Sequence, residues 1–375
     1  MIKKLSICIA LFFCLNLKAQ VDNSYINDDE KIDENDNVTW GFSLNSFNYL
    51  RNTEYFNLIE SGRTLFGTQI SPAFWVQPQQ NLNLKLRAGV FLNQNFGSNL
   101  ITPVIPIFSI MYQKNNSRFI FGTLNGATSH QILEPIFNIN NAIEQRIEQG
   151  AQYTYKNKNT FTDAWINWQK FMPYKGNEHE RFTAGLNFKK NLLLKNNGLN
   201  IDVVNQLILV HKGGQLSSDS TPQFSALHSA HGFDIFNKNK AFTLSQYILF
   251  SNNNLGNQNF GTAYMGNLVL KPINKLNNLS FIFTYFLGTN FNAINGTYIY
   301  QGYSKDSDSL IYSNRRLLFL RVFYDKNIFP NELNNSLNLS ARFEPFADFN
   351  SRKIEFSFSL YVLYRLNAKL GKVGN

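Results

Sequence analysis

The sequence predicts an all-β fold, a transmembrane antiparallel up-and-down β-barrel of about 16 strands, within bounds of roughly 14 to 18. Three observations predict it: long segments with strict two-residue alternation, polar turns at near-regular spacing, and an aromatic, asparagine-rich composition. The 375 residues include 35 Phe, 17 Tyr and 53 Asn. That mixture favours many strands joined by polar turns and excludes a helix bundle.

The chain opens with Lys3 and Lys4, an apolar run from Leu5 to Leu17, and Lys18-Ala19-Gln20. This order of basic, apolar and small residues predicts a secretory signal peptide over residues 1–19. Both cysteines, Cys8 and Cys14, fall inside it. The mature chain would then hold no disulfide, thiolate nucleophile or cysteine metal site. Residues 20–37 carry Asp22, Asp28, Asp29, Glu30, Asp33, Glu34 and Asp36 against Lys31 alone, and read as an acidic disordered leader. From residue 38 onward 31 Lys+Arg face 18 Asp+Glu, so the body is distinctly basic.

Residues 38–366 form the expected barrel. Leu82, Leu84, Leu86, Ala88, Val90 and Leu92 share one parity, and Asn83, Lys85, Arg87 and Asn93 lie on the other. The alternation returns at Leu337, Leu339, Ala341 and Phe343, and from Phe356 to Leu366. Such a pattern places one face in lipid and the other on a polar lumen. Arg316–Tyr324 and Phe242–Phe250 are mixed on both faces. Short clusters at 77–81, 114–117, 156–159, 195–198, 237–240, 271–278 and 325–335 alternate with longer connections near 51–62, 93–102, 124–146, 171–180, 211–224, 251–259, 289–311 and 348–352. These connections join sixteen strands and put both termini on the periplasmic side. The last strand, Lys353 to Leu366, would leave residues 367–375 as a periplasmic tail.

These features resemble exported outer-membrane β-barrel proteins of the Bacteroidota, a porin-like class. The resemblance rests on the Lys3-Lys4 signal ending Lys18-Ala19-Gln20, the Asn- and Phe-rich strands, and turns such as Lys156-Asn157-Lys158-Asn159. It implies a location in the outer membrane and the movement of small solutes. The basic tail after Tyr364-Arg365 departs from the terminal aromatic with which many such barrels end.

The expected function is therefore a porin-like channel for diffusion of small hydrophilic solutes that favours anions. Lys85, Arg87, Arg181, Lys189, Arg321 and Arg342 lie within strands, where lumenal placement would make a positive lining. The 124–146 connection is the candidate constriction, through His130, Glu134, Glu144 and Arg146. Its apolar Ile136, Ile139, Ile143 and Ile147 at helical spacing, after Pro135, predict a short helix. The alternative is a non-conducting scaffold or export component of a secretion or exopolysaccharide system, with the leader and periplasmic turns as docking surfaces.

Catalytic and cofactor signals are weak. Ser129, His130 and Glu134 adjoin in sequence without a nucleophile motif, and no phosphate-cradling motif occurs, so the reading is that the protein is not an enzyme and uses no cofactor. His228 and His231 have metal-like spacing, but residues three apart on a strand face opposite sides, so no metal site is expected. His211 is read as marking where a strand leaves the membrane. Expected partners are outer-membrane lipid, small solutes and the barrel-insertion machinery, with a homo-oligomer or a periplasmic partner possible; dispersed basic residues argue against nucleic acid.

Overall fold

The computed structural model describes residues 23–27, 39–78, 83–98, 104–174, 176–193, 198–214, 217, 219–237, 241–253, 260–272, 278–307, 309–329 and 335–372. The expected signal peptide and most of the acidic leader lie outside these residues. Sixteen strands run in chain order: β1 Thr39–Glu54, β2 Thr64–Gln77, β3 Leu84–Asn95, β4 Ile105–Lys114, β5 Ser117–Thr123, β6 Gln149–Lys156, β7 Thr160–Lys170, β8 Glu180–Leu193, β9 Leu199–Gly213, β10 Phe224–Asn237, β11 Phe242–Asn253, β12 Phe260–Leu270, β13 Leu279–Thr289, β14 Asn314–Asn327, β15 Asn335–Asp348 and β16 Lys353–Lys372. Each pairs antiparallel with its sequence neighbours, and β1 pairs with β16, closing the barrel. Closure gives every strand two partners, so no edge is left to lipid.

The expected parity holds on each wall. Ser43, Asn45, Phe47 and Tyr49 of β1 are buried inside, whereas Phe66, Phe74, Phe108, Phe119 and Phe121 of β2, β4 and β5 are exposed outside as a lipid-facing band. The short connections and both ends of the barrel share one rim, opposite the long connections.

The final strand is longer than the sequence suggests. Residues 367–372 continue β16, with Lys372 opposite Thr39, so the expected tail from residue 367 is strand over most of its length. The reason is closure: β1 starts at Thr39, and its first residues need a partner for their backbone groups.

Two long connections occupy part of the lumen. The 124–148 and 290–313 connections fold inward from the long-loop rim. Leu124, Leu133, Ile136 and Phe137 of the first and Phe291, Ile299 and Tyr300 of the second pack against Trp165, Ile208, Leu249, Phe286, Phe319 and Phe346 of the wall. Thr297 N donates to Glu134 O at 2.9 Å and Asn138 N to Asn295 O at 2.7 Å, which ties the two connections together. This accounts for the mixed faces of β11 and β14: Tyr247, Leu249, Leu317 and Phe319 point inward at an apolar plug, not at water. The expected helix from Pro135 shrinks to one turn, α1 Asn141–Glu144, after a 3-10 turn at Ala127–His130. Asn138 Oδ1 accepts from Asn140 N at 3.0 Å, and such asparagine contacts compete with helical backbone bonds.

Residues 23–27 of the leader also enter the lumen. Ser24–Ile26 form a 3-10 turn, and Ile26 is buried among Phe47, Tyr49, Tyr361 and Leu363. That stretch of the expected disordered leader is therefore ordered.

Candidate functional site

Two regions gather chemically capable side chains: the plugged lumen, and the outer face of the long-loop rim.

In the lumen, the wall cations divide into groups. Lys85 on β3 is fully buried with Nζ 4.8 Å from the Trp75 ring centre, and Arg87 lies on the same inner face. Arg181 and Lys189 share the inner face of β8, and Lys189 Nζ donates to Gln131 Oε1 at 3.3 Å. Arg321 on β14 contacts Glu134 Oε2 at 2.7 Å and Glu344 Oε2 at 3.1 Å, and donates to Tyr300 OH at 2.7 Å. Arg51 joins the same cluster through Glu344 at 3.2 Å. Arg342 lies over the Phe323 ring at 4.4 Å and donates to Asn23 Oδ1 at 2.7 Å. A cavity of about 20 Å³ remains between Arg51, Glu134, Tyr300, Arg321 and Glu344, room for one water.

The inserted connection is held at all four of its sequence-predicted residues. Glu134 takes Arg321; Glu144 takes Arg63 at 2.5 and 2.9 Å; Arg146 donates to Ala142 O at 3.1 Å and Ile26 O at 3.0 Å. His130 is bracketed by Asp163 Oδ2 on Nδ1 and Glu148 Oε2 on Nε2, both at 2.7 Å. Its ring stacks on Trp165 at 3.6 Å and 7°. Trp165 can lie flat because its neighbour across the strand pair is Gly185, where a Cβ would come within 2.2 Å of the indole. Burial disfavours the charged imidazole, but Glu148 and Asp163 outweigh it and push the His130 pKa up to about 9. This histidine belongs to the inserted connection and not to a spanning strand.

Ser129, His130 and Glu134 do not form a catalytic set. The Ser129 hydroxyl donates to Gly126 O at 2.8 Å, both nitrogens of His130 are taken by carboxylates, and Glu134 is engaged by Arg321. His228 points inward and accepts from Ile294 N at 3.1 Å, while His231 points outward to Asn205 Oδ1 at 3.0 Å. Among the described residues no cluster of three metal-binding side chains occurs.

The outer rim holds what sequence reading missed. β8 begins, β9 ends and β10 begins at the long-loop rim, and their register sets Phe182, His211 and Ser225 in one row on the lipid-facing side. His211 Nδ1 lies 2.9 Å from Ser225 Oγ. Its Nε2 lies 3.9 Å from Glu180 Oε1. The imidazole rests over Gly213, where an added Cβ would stand 2.7 Å from Nε2, and the Phe182 ring flanks it at 5.1 Å. Trp168 stacks on Phe182 at 5.2 Å, and Phe171 and Tyr174, in the connection after β7, are exposed. A hydroxyl, an imidazole and a carboxylate in this order are the parts of a nucleophile, its base and an orienting group. They are separated by 14 and 31 positions in sequence, so only strand register brings them together. The signal available was parity: both His211 and Ser225 fall on outward positions next to the same 214–223 connection.

A closed sixteen-stranded barrel with a lipid-facing aromatic band defines an outer-membrane β-barrel of porin-like architecture. Solved structures show the same fold. OprD of Pseudomonas aeruginosa aligns over 92% of this chain and 100% of its own, with a TM-score of 0.52 at 11% identity. A BenF-like porin from Pseudomonas fluorescens Pf-5 aligns over 88% and 99% with a TM-score of 0.53 at 8% identity. OccK2 of Pseudomonas aeruginosa, in complex with glucuronate, aligns over 88% and 100% with a TM-score of 0.51 at 9% identity. No curated protein matches the sequence. The pattern of the Lipid A 3'-O-deacylase-type family matches residues 32–373, and the chain belongs to that family. The family carries an enzyme's name, which overturns the expectation that the protein is not an enzyme.

Proposed function

We propose that the protein hydrolyses an ester-linked acyl chain of lipid A from the outer leaflet, using Ser225 as nucleophile, His211 as general base and Glu180 as the group that orients His211. The observation that carries this reading is the 2.9 Å approach of His211 Nδ1 to Ser225 Oγ on the lipid-facing rim. An ester near the head-group boundary would reach Ser225 from the membrane without entering the barrel. His211 would take the Ser225 proton as Oγ attacks the ester carbonyl, then return it to the departing sugar oxygen. Water, activated by the same imidazole, would release the fatty acid and restore the hydroxyl. Glu180 stands 3.9 Å from Nε2 without substrate, a separation that can shorten as the imidazolium forms.

The test is fatty-acid release from lipid A in mixed micelles, followed by mass spectrometry. Ser225→Ala and His211→Ala should each lose at least about 10³-fold in rate while keeping heat-modifiable gel migration. Undiminished release in both variants would remove the rim from the reaction.

A second reading is favoured by the inward cations: passage of small hydrophilic solutes with a preference for anions. Lys85, Arg87, Arg181, Lys189, Arg321 and Arg342 would supply the field, and the connection bearing His130, Glu134, Glu144 and Arg146 would be the constriction. Support comes from the inner-face parity of all six cations and from a fold shared with porins. Single-channel current and reversal potential across a salt gradient test it.

A further inference from the structure

The lipid-facing rim does not involve the chain's own leader, yet five residues of that leader sit inside the barrel. Ile26 is 2% exposed, enclosed by Phe47 and Tyr49 of β1, Tyr361 and Leu363 of β16, and Ala142 and Ile143 of the inserted connection. Its neighbours are held by side chains. Arg342 Nη1 donates to Asn23 Oδ1 at 2.7 Å, Asn338 Nδ2 to Tyr25 O at 3.3 Å, Arg146 Nη2 to Ile26 O at 3.0 Å, and Thr128 Oγ1 to Asn27 Oδ1 at 3.4 Å. An apolar pocket for one side chain, with donors on two consecutive backbone carbonyls, is how a groove reads a short peptide.

We propose that the inner wall of β1, β15 and β16, with Arg146 and Thr128 above it, is a peptide-binding site, and that its resident ligand is the chain's own Asn23–Asn27, which closes the lumen beneath the inserted connections. The segment belongs to no strand, so it can leave without breaking the barrel ladder. Residues 28–38 link it to β1, and eleven extended residues reach on the order of 35 Å, long enough for the ligand to depart and return. The tether keeps its local concentration on the millimolar scale, so modest affinity suffices. Charge agrees: Asp22, Asp28, Asp29 and Glu30 flank the segment, and the site presents Arg146 and Arg342. Because Arg146 also donates to Ala142 O, the seated segment braces the inserted connection from below.

The experiment uses the full chain with Cys8→Ser and Cys14→Ser and a reporter thiol, Leu363→Cys, in the wall of the pocket. The measured quantity is its rate of modification by a polar maleimide in detergent, on protein whose heat-modifiable migration shows a closed barrel. The seated segment should keep the thiol slow. Ile26→Asp should accelerate modification at least tenfold, and Arg342→Gln, which leaves the apolar pocket intact, by a smaller factor. Adding millimolar Asn-Ser-Tyr-Ile-Asn peptide to the Ile26→Asp chain should restore slow modification. Equal rates with and without Ile26→Asp, or no protection by the peptide, would overturn the proposal. The outcome is independent of ester hydrolysis at the rim, which none of these substitutions touches.

Discussion

Arg321 Nη2 on the wall strand β14 lies 2.7 Å from Oε2 of Glu134 on the inserted connection, and both side chains are almost wholly buried. A guanidinium withdrawn from water must be repaid by partners at close range, and here Glu134, Glu344 and Tyr300 surround it. The connection is therefore anchored to the barrel by charge as well as by apolar packing.

Removing the cation alone should be costly, because it strands Glu134 while Glu344 keeps only Arg51. Arg321→Ala is expected to destabilise the folded barrel by about 3–5 kcal/mol in urea titration from bilayers. Glu134→Gln keeps an acceptor for the guanidinium and should cost less. Combining Arg321→Met with Glu134→Gln should recover much of the loss, since Glu344 then still pairs with Arg51 and no charge of the cluster is left unmatched. A double variant no more stable than Arg321→Ala would contradict the account.

His130 makes the seating of the same connection depend on pH. Its pKa is raised from 6.5 to about 9 in the folded state, against burial, by Glu148 and Asp163. The imidazolium thus stabilises the folded form fully below pH 6.5, and that contribution falls away as pH rises from there through 9. The shift corresponds to something on the order of 3 kcal/mol. Protease cleavage within residues 124–148 should accelerate between pH 7 and 9.5, and Trp165, stacked on the imidazole, should change fluorescence over the same range. His130→Gln should abolish that pH dependence. A flat profile in the parent protein would show that the bracketed imidazole does not govern seating.

At the rim, Gly213 gives a sharp test of whether His211 works in the orientation observed. Any side chain at 213 would press on the imidazole, since an added Cβ falls 2.7 Å from Nε2. Gly213→Ala should displace the ring from Ser225 and lower ester hydrolysis on the order of 10²-fold, because small displacements of a catalytic base are expensive. The folded barrel and its heat-modifiable migration should persist. Phe182→Leu, which removes a flanking ring but no contact with Ser225, should have a milder effect. Full activity in Gly213→Ala would mean that this imidazole position is not the working one.

The barrel was legible because lipid and lumen impose a period of two on the strands, and turns such as Lys156-Asn157-Lys158-Asn159 mark the short-connection ends. Where the period blurred, at β11 and β14, the cause was a third environment: an apolar plug inside the wall, which makes inward residues such as Leu317 and Phe319 as apolar as outward ones. The inserted connection was legible as a candidate constriction from its length and from His130, Glu134, Glu144 and Arg146. Its conformation was not, since Asn138 and its neighbours divert the backbone from the helix that the isoleucine spacing suggested. The rim constellation was invisible for a different reason. His211 and Ser225 become neighbours only through the register of β9 on β10, and a shift of one residue would send one of them to the other face.

Register also decides how the lumenal cations should act if solutes pass. Lys85 and Arg87 occupy successive inner positions of β3, but Lys85 is covered by the Trp75 ring while Arg87 is half exposed. A charge near water-filled space acts on passing ions through a short, partly screened path, and one held under an indole acts through a longer one. Arg87→Gln should therefore shift the reversal potential under a salt gradient more than Lys85→Gln does, with both shifts shrinking at molar salt. Arg321 and Arg51, matched by Glu134 and Glu344, should together contribute a field close to neutral, so Glu134→Gln should raise anion preference in any open state. Identical reversal potentials in the parent, Arg87→Gln and Glu134→Gln proteins would place the conduction path, if one exists, away from β3 and the inserted connection.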